Sequence, residues 1–154
     1  MLRDRKTSGE VVELASALSP VFAGFPEIAA VYVFGSVARG DAGPESDLDL
    51  GLVLPRGATV LGSYRMVADL AGKVERHTRR RTVDVILLEP QGPIFCHRVL
   101  AEGRLIYEAD RDRRIDFESG VLVRAFDFRP TWELATRGKV EALRKWLKTR
   151  YDLR

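Results

Sequence analysis

Two aspartates one position apart, Asp47 and Asp49, head an apolar run that ends at Leu54. In a strand, residues i and i+2 share a face. Both carboxylates then point one way, while Leu48 and Leu50 point the other way, into a core. Two such carboxylates repel each other unless a cation lies between them. An all-oxygen ligand set favours Mg²⁺, which takes one or two carboxylates and completes its shell with water and substrate phosphates. On its own, Asp-x-Asp also suits an edge strand that uses charge to avoid pairing, or a pair of solvated loop acids.

Upstream, the apolar run from Ile28 to Phe34 ends in Gly35-Ser36 and enters a helical turn. A strand that stops in this way offers backbone N–H groups to an anion, and glycine lets the backbone approach it closely. The Ser36 hydroxyl can donate to the same anion, or it can serve simply as a helix cap. A cation pair beside a phosphate cradle is what nucleotidyl transfer needs: the metal neutralises the triphosphate and activates the acceptor oxygen.

Asp84 is the third point, alone within the apolar run from Thr82 to Leu88. A carboxylate there is costly unless paired or hydrogen-bonded. It reads as a third ligand or a base for the attacking hydroxyl; an edge strand or an ion pair with the 79–81 arginines are the plainer alternatives. Arg39 is placed to reach a phosphate or brace the carboxylates, and equally to pair with Asp41. Ser46 can bond its own loop backbone. Cys96 and His97 have no partner at ligand or triad spacing.

The elements that must hold these residues follow from periodicity. A helix begins near Thr7-Ser8-Gly9-Glu10, where Thr7 and Glu10 have capping-box spacing, and Ser19-Pro20 interrupts it. Strands are expected over 28–34, 47–54 and 82–88, with a short edge strand over 104–108. A helix over 61–78 is expected to bury Leu61, Tyr64, Val67, Ala68, Ala71 and Val74. Residues 93–101 form another helix. After Asp110, Ile115, Leu122, Ala125 and Phe126 mark one helix, and a second follows Arg129-Pro130 with Leu134, Val140, Leu143, Trp146 and Leu147. The alternation makes the class α/β (α+β): a small mixed sheet flanked by helices, with C-terminal helices. Residues 1–108 are the chemical domain, and 109–154 are a helical extension of it.

Composition narrows the setting. At 154 residues and 45% hydrophobic, the chain can bury one core without staples. A single cysteine excludes a disulfide framework and a zinc cluster. Together with a polar N-terminus that lacks a signal-peptide core, it fits the cytoplasm. There is no apolar run of the roughly 20 residues that a membrane span needs. The net charge of +3 is a mild bias towards anionic partners, and residues 137–154 hold seven Arg or Lys against two acids.

The quoted motifs (Gly35-Ser-x-Ala-Arg-Gly, Ser46-Asp-Leu-Asp-Leu and Val83-Asp84-Val) resemble those of the nucleotidyltransferases of the DNA polymerase β superfamily. Among these they are most similar to the small prokaryotic minimal nucleotidyltransferases, the MntA-type antitoxins. The likeness spans roughly residues 28–90 in specific motifs and extends to about 108 in layout. It implies that Asp47, Asp49 and Asp84 are the catalytic, metal-binding acids for one or two Mg²⁺ ions. It also implies that Gly35 and Ser36 bind the nucleotide; Arg39 and Ser46, from their positions beside them, are further candidates for nucleotide binding.

By the same resemblance the chain is an antitoxin of a type VII toxin–antitoxin system. It would transfer AMP from ATP to a tyrosine of a cognate HEPN-domain ribonuclease toxin and so neutralise it, with no direct contact with membrane or nucleic acid. Two other functions stay open: nucleotidyl transfer to a small molecule of the antibiotic type, and an antitoxin that acts by binding alone. The absence of a separate substrate domain weighs against the first, and the intact acids weigh against the second.

Overall fold

The computed structural model describes residues 9–79 and 82–151. Thr7 and Ser8 of the capping sequence, and Arg80 and Arg81 of the arginine run, lie outside them. Four strands form one mixed sheet in the order β3-β2-β1-β4: β1 (Ala30–Phe34), β2 (Leu48–Val53), β3 (Val83–Leu87) and β4 (Arg104–Glu108). β1 is antiparallel to both neighbours, whereas β2 and β3 are parallel. A parallel pair needs a crossover, and α3 (Val60–Thr78) supplies it.

The alternating residues of the strands build two layers. Val31, Val33, Leu48, Leu50, Leu52, Val83 and Val85 face α1 (Gly9–Ala23) and α3, where Leu18, Phe22, Leu70 and Val74 close the larger core. The opposite face carries Ala30, Tyr32 and Val53. It packs with Leu88 against α4 (Pro93–Glu102) and the start of α5 (Arg111–Tyr151), through Val99, Phe117 and Val121. That second cover is partial, and the sheet end it leaves open carries Asp49 and Asp84.

α3 presents a different stripe from the one its sequence suggests. Ser63, Met66, Leu70 and Val74 are buried, whereas Leu61 is 84% and Tyr64 55% exposed; Ala68 is exposed too. The reason lies at the helix start. Thr59 is the N-cap and accepts from the Gly62 N–H, and the Ser63 hydroxyl donates back to the Thr59 carbonyl at 2.8 Å. With its hydroxyl satisfied locally, Ser63 can turn inward, and the apolar stripe runs from there at helical spacing.

The C-terminal region likewise forms one helix where two are expected: α5 runs through Pro130, as α1 runs through Pro20. Proline at 130 removes one backbone donor, and the carbonyl it would have served belongs to Phe126, an exposed residue that water can reach. The inner face of α5 is Phe117, Val121 and Ala125, so Ile115, Leu122 and Phe126 lie outside the core. Leu134, Val140, Leu143, Trp146 and Leu147 fall within the helix as backbone, their side chains outside the described set.

Two polar clusters fix α5 to the sheet. The Tyr32 hydroxyl donates to Glu118, and Arg114 joins Glu118 to Glu108. Burial first, then Glu118, raises the Tyr32 pKa, so the phenol stays a donor. At the other cluster, Glu89 accepts from the Leu54 N–H at 2.7 Å and from Arg113 at 3.0 Å, while Arg113 also donates to the Leu54 carbonyl at 2.8 Å.

The second Glu89 oxygen is buried with no hydrogen-bond partner among the described residues, and burial raises the Glu89 pKa. Below the ordinary carboxylate pKa, Glu89 is protonated in both folded and unfolded chains. As pH rises from there to the raised folded value, the unfolded chain ionises first, so stability falls through that window and levels above it. Thermal melts across pH should therefore show the wild type losing stability relative to Glu89→Gln through this window. Parallel pH profiles would show that Glu89 is not the cause.

Candidate active site

β1 runs directly into α2 (Gly35–Arg39), a single turn closed by Gly40 in the left-handed conformation. The residue at its N-cap position is Phe34, which contributes no side-chain cap. The first N–H groups of the turn are therefore left for another acceptor. Ser36 lies inside the turn, so it is not the cap; among the described residues its hydroxyl makes no hydrogen bond.

Asp49 sits across from Phe34 in the antiparallel pair and beside Asp84 in the parallel pair. The topology thus brings together acids that are 35 positions apart in sequence, Asp49 and Asp84. Leu48 and Leu50 are fully buried on the opposite face, as period-two alternation requires. Asp49 is half-buried, and Asp47 and Asp84 are exposed.

The electrostatics tie the three acids together. Burial, then the negative charges of Asp84 and Asp47, push the Asp49 carboxyl above the usual carboxylate range; the positive charge of Arg39 pulls it back in part. Arg39 itself holds Asp41 at 3.2 Å, with both side chains well exposed. Arg39 thus pairs with Asp41 while its charge reaches Asp49.

Gly35 makes the close approach possible. Its φ is +68°, and a Cβ there would stand 2.1 Å from the Asp49 Oδ2. A side chain at 35 and the Asp49 carboxylate cannot occupy that space together. Ser46 fixes the loop that leads to Asp47: its hydroxyl accepts from the Gly43 N–H at 2.8 Å, and its own N–H donates to the Gly43 carbonyl at 3.1 Å.

Phe34 had signified only the end of a strand, yet it borders the acids and meets Phe95 of α4 edge-on at 5.9 Å. The pairing register of β1 against β2 is the signal that would have found it. A cleft of about 520 Å³ lies elsewhere, between the 42–46 loop, the end of α3 and Thr82. It includes Ser46 but none of the three acids. His97 packs against Phe126, and Cys96 is buried with its thiol directed at the Leu88 carbonyl; neither joins the acids.

The donor set suits a hard divalent cation. Three carboxylates on one open sheet end repel one another, and a cation would relieve that repulsion. Among the described residues no three His, Cys, Asp or Glu side chains close into a ready cage. An ion would therefore complete its shell with water and phosphate oxygens, as Mg²⁺ commonly does.

The family described as polymerase beta, nucleotidyltransferase matches residues 16–112. No curated protein sequence matches the chain. Among solved structures, the fold is similar to a tri-AMPylated Shewanella oneidensis HEPN toxin in complex with MNT antitoxin. That match has a TM-score of 0.58 and 13% identity, and covers 86% of this chain and 98% of that chain. It is also similar to a toxin–antitoxin with AMP-PNP, with a TM-score of 0.57, 16% identity, and 87% and 95% covered. A MntA–HepT toxin–antitoxin gives a TM-score of 0.53 at 14% identity, with 87% and 96% covered. At such identities the likeness is one of fold. No described helix is long and apolar enough to cross a membrane.

Proposed function

We propose, because this chain belongs to the polymerase β nucleotidyltransferase family, that it transfers AMP from ATP to a tyrosine of a HEPN-fold toxin and thereby silences that toxin. The observation that carries the chemistry is the fit between Gly35 and Asp49: a glycine at φ +68° surrenders its Cβ space to a carboxylate oxygen. That fit puts the first backbone N–H groups of α2 next to an acid whose pKa is raised by burial and then by two further acids. The acceptor reading is supported by the shared fold with antitoxins solved with a HEPN toxin or with AMP-PNP.

In this reading the Gly35 and Ser36 N–H groups and the Ser36 hydroxyl bind phosphate oxygens, and Arg39 adds positive charge beside them. Ser46 holds the loop that positions Asp47. Asp47, Asp49 and Asp84 would hold one or two Mg²⁺ ions. A bound ion would neutralise phosphate charge and make the acceptor hydroxyl more acidic. The tyrosine oxygen attacks the α-phosphorus in line, the bond to the β-phosphate oxygen breaks and pyrophosphate leaves. Asp84, exposed at the edge of the site, can take the phenolic proton if it is not a metal ligand. Residues 1–108 form the catalytic domain, 109–154 its helical extension, and the setting is the cytoplasm.

The test follows the phosphorus. With Mg²⁺ and a purified HEPN-fold candidate partner from the source organism, ATP labelled at the α-phosphate should mark that protein on tyrosine, and ATP labelled at the γ-phosphate should not. Label from the γ position would make the reaction a phosphorylation. Label from the α position in a small molecule would move the acceptor class. Tight binding with no label would leave an antitoxin that acts by contact.

A further inference from the structure

The strongest feature outside the acids is the outer seam between α4 and α5. Its inner side is closed by Val99, Phe117, Val121 and Ala125. Its outer side stays apolar and open: Leu122 is 41% and Phe126 65% exposed. His97 and Phe126, with ring centroids 6.4 Å apart, separate two depressions. One, of about 220 Å³, is lined by Ile94, His97, Phe126, Arg129 and Glu133. The other, of about 410 Å³, is lined by His97, Leu100, Ala101, Glu118 and Leu122.

α5 then continues past the body. Among the described residues, no side chain beyond Ala125 is buried. At about 1.5 Å per residue, residues 126–151 extend the helix by roughly 40 Å. A lone helix of such length gains its stability mainly from packing, so this segment calls for a partner. Its charge specifies which kind: residues 126–151 hold seven Lys or Arg against three acids. A second copy would bring like charge against like charge. A nucleic acid would satisfy the charge but would leave the apolar seam uncovered.

We infer that the α4–α5 seam and the basic arm that continues from it dock an acidic protein whose apolar side chains fill the two depressions. This inference rests on the protein-acceptor reading of the active site and supplies its missing geometry. α4 covers the same sheet face that carries the acids, and its Phe95 touches Phe34, the residue opposite Asp49. A protein seated on the seam lies on the side from which a tyrosine can reach the acids.

A photo-crosslinking amino acid, p-benzoylphenylalanine, placed at Phe126 in the full chain should capture an acidic protein in cells of the source organism. The same amino acid placed at Tyr64, exposed on the opposite layer, should not. The captured protein, identified by mass spectrometry, should be the one that takes label from α-labelled ATP. Charge reversal (Arg137→Glu with Lys139→Glu and Lys145→Glu) should lower its capture about tenfold. Capture of an acidic protein that takes no label would keep the docking surface and overturn the acceptor reading. A labelled protein that position 126 never captures would do the reverse. Capture of a second copy or of nucleic acid, or no capture at all, would overturn the docking surface.

Discussion

Asp47→Asn combined with Asp49→Asn is expected to lower nucleotidyl transfer by at least ~10³-fold while leaving the fold intact. The two halves of that result have separate causes. Asparagine keeps the shape of each side chain but removes the charge that would bind a cation and, with it, the triphosphate. Stability should hold or rise, because the Asp49 carboxyl is disfavoured in its charged form by burial and by Asp84 and Asp47. Initial rates with saturating ATP and Mg²⁺, set beside a thermal melt of the same preparation, check both. A variant that melts like the wild type and still transfers at a comparable rate would remove the acids from the chemistry.

The second large effect concerns a residue with no functional group. Gly35→Ala should reduce transfer by roughly 10²-fold, the scale expected when a reacting group is misplaced by about an ångström. Two distinct penalties act at this position. The backbone at φ +68° costs an L-residue about 1–2 kcal/mol. The new methyl would also fall on the Asp49 Oδ2, so the carboxylate must turn away from its place.

Gly40 separates the two. Its φ is +79°, but a Cβ there meets nothing within 4 Å. Gly40→Ala should therefore lose a similar amount of stability yet keep most of its activity. Measuring kcat and melting temperature on both variants decides the matter. Equal activity in the two would show that the Gly35–Asp49 contact has no part in the reaction.

Much of this arrangement is legible in the chain because it depends on local rules. Period two alone separates Leu48 and Leu50 from the acids, and Gly103 with Arg104–Glu108 marks the edge strand within its observed bounds. Features that depend on distant partners are less accessible. Nothing within α3 reveals that Ser63 will satisfy its hydroxyl on Thr59 and so rotate the buried stripe away from Leu61 and Tyr64. Pro130 looks like a break because a proline usually ends a helix; its cost is small here because the affected turn lies outside the core. Asp84 could be suspected from its apolar neighbours, but its place beside Asp49 follows only from the parallel register. The contact between Gly35 and Asp49 is a tertiary approach, and a Gly-Ser pair says nothing of what will fill the glycine's empty side.

The strand order has one more consequence. β3 is an outermost strand of the sheet, with one row of backbone groups that no strand among the described residues pairs. Such a rim invites another chain to add itself, and proteins commonly deter this with a charge set among apolar neighbours. Asp84 is that charge: exposed, and flanked by the buried Val83 and Val85. The acid proposed for nucleotidyl transfer therefore also has the placement that deters edge-to-edge self-assembly. Asp84→Val should thus lower solubility as well as transfer, which light scattering of the purified variant would check.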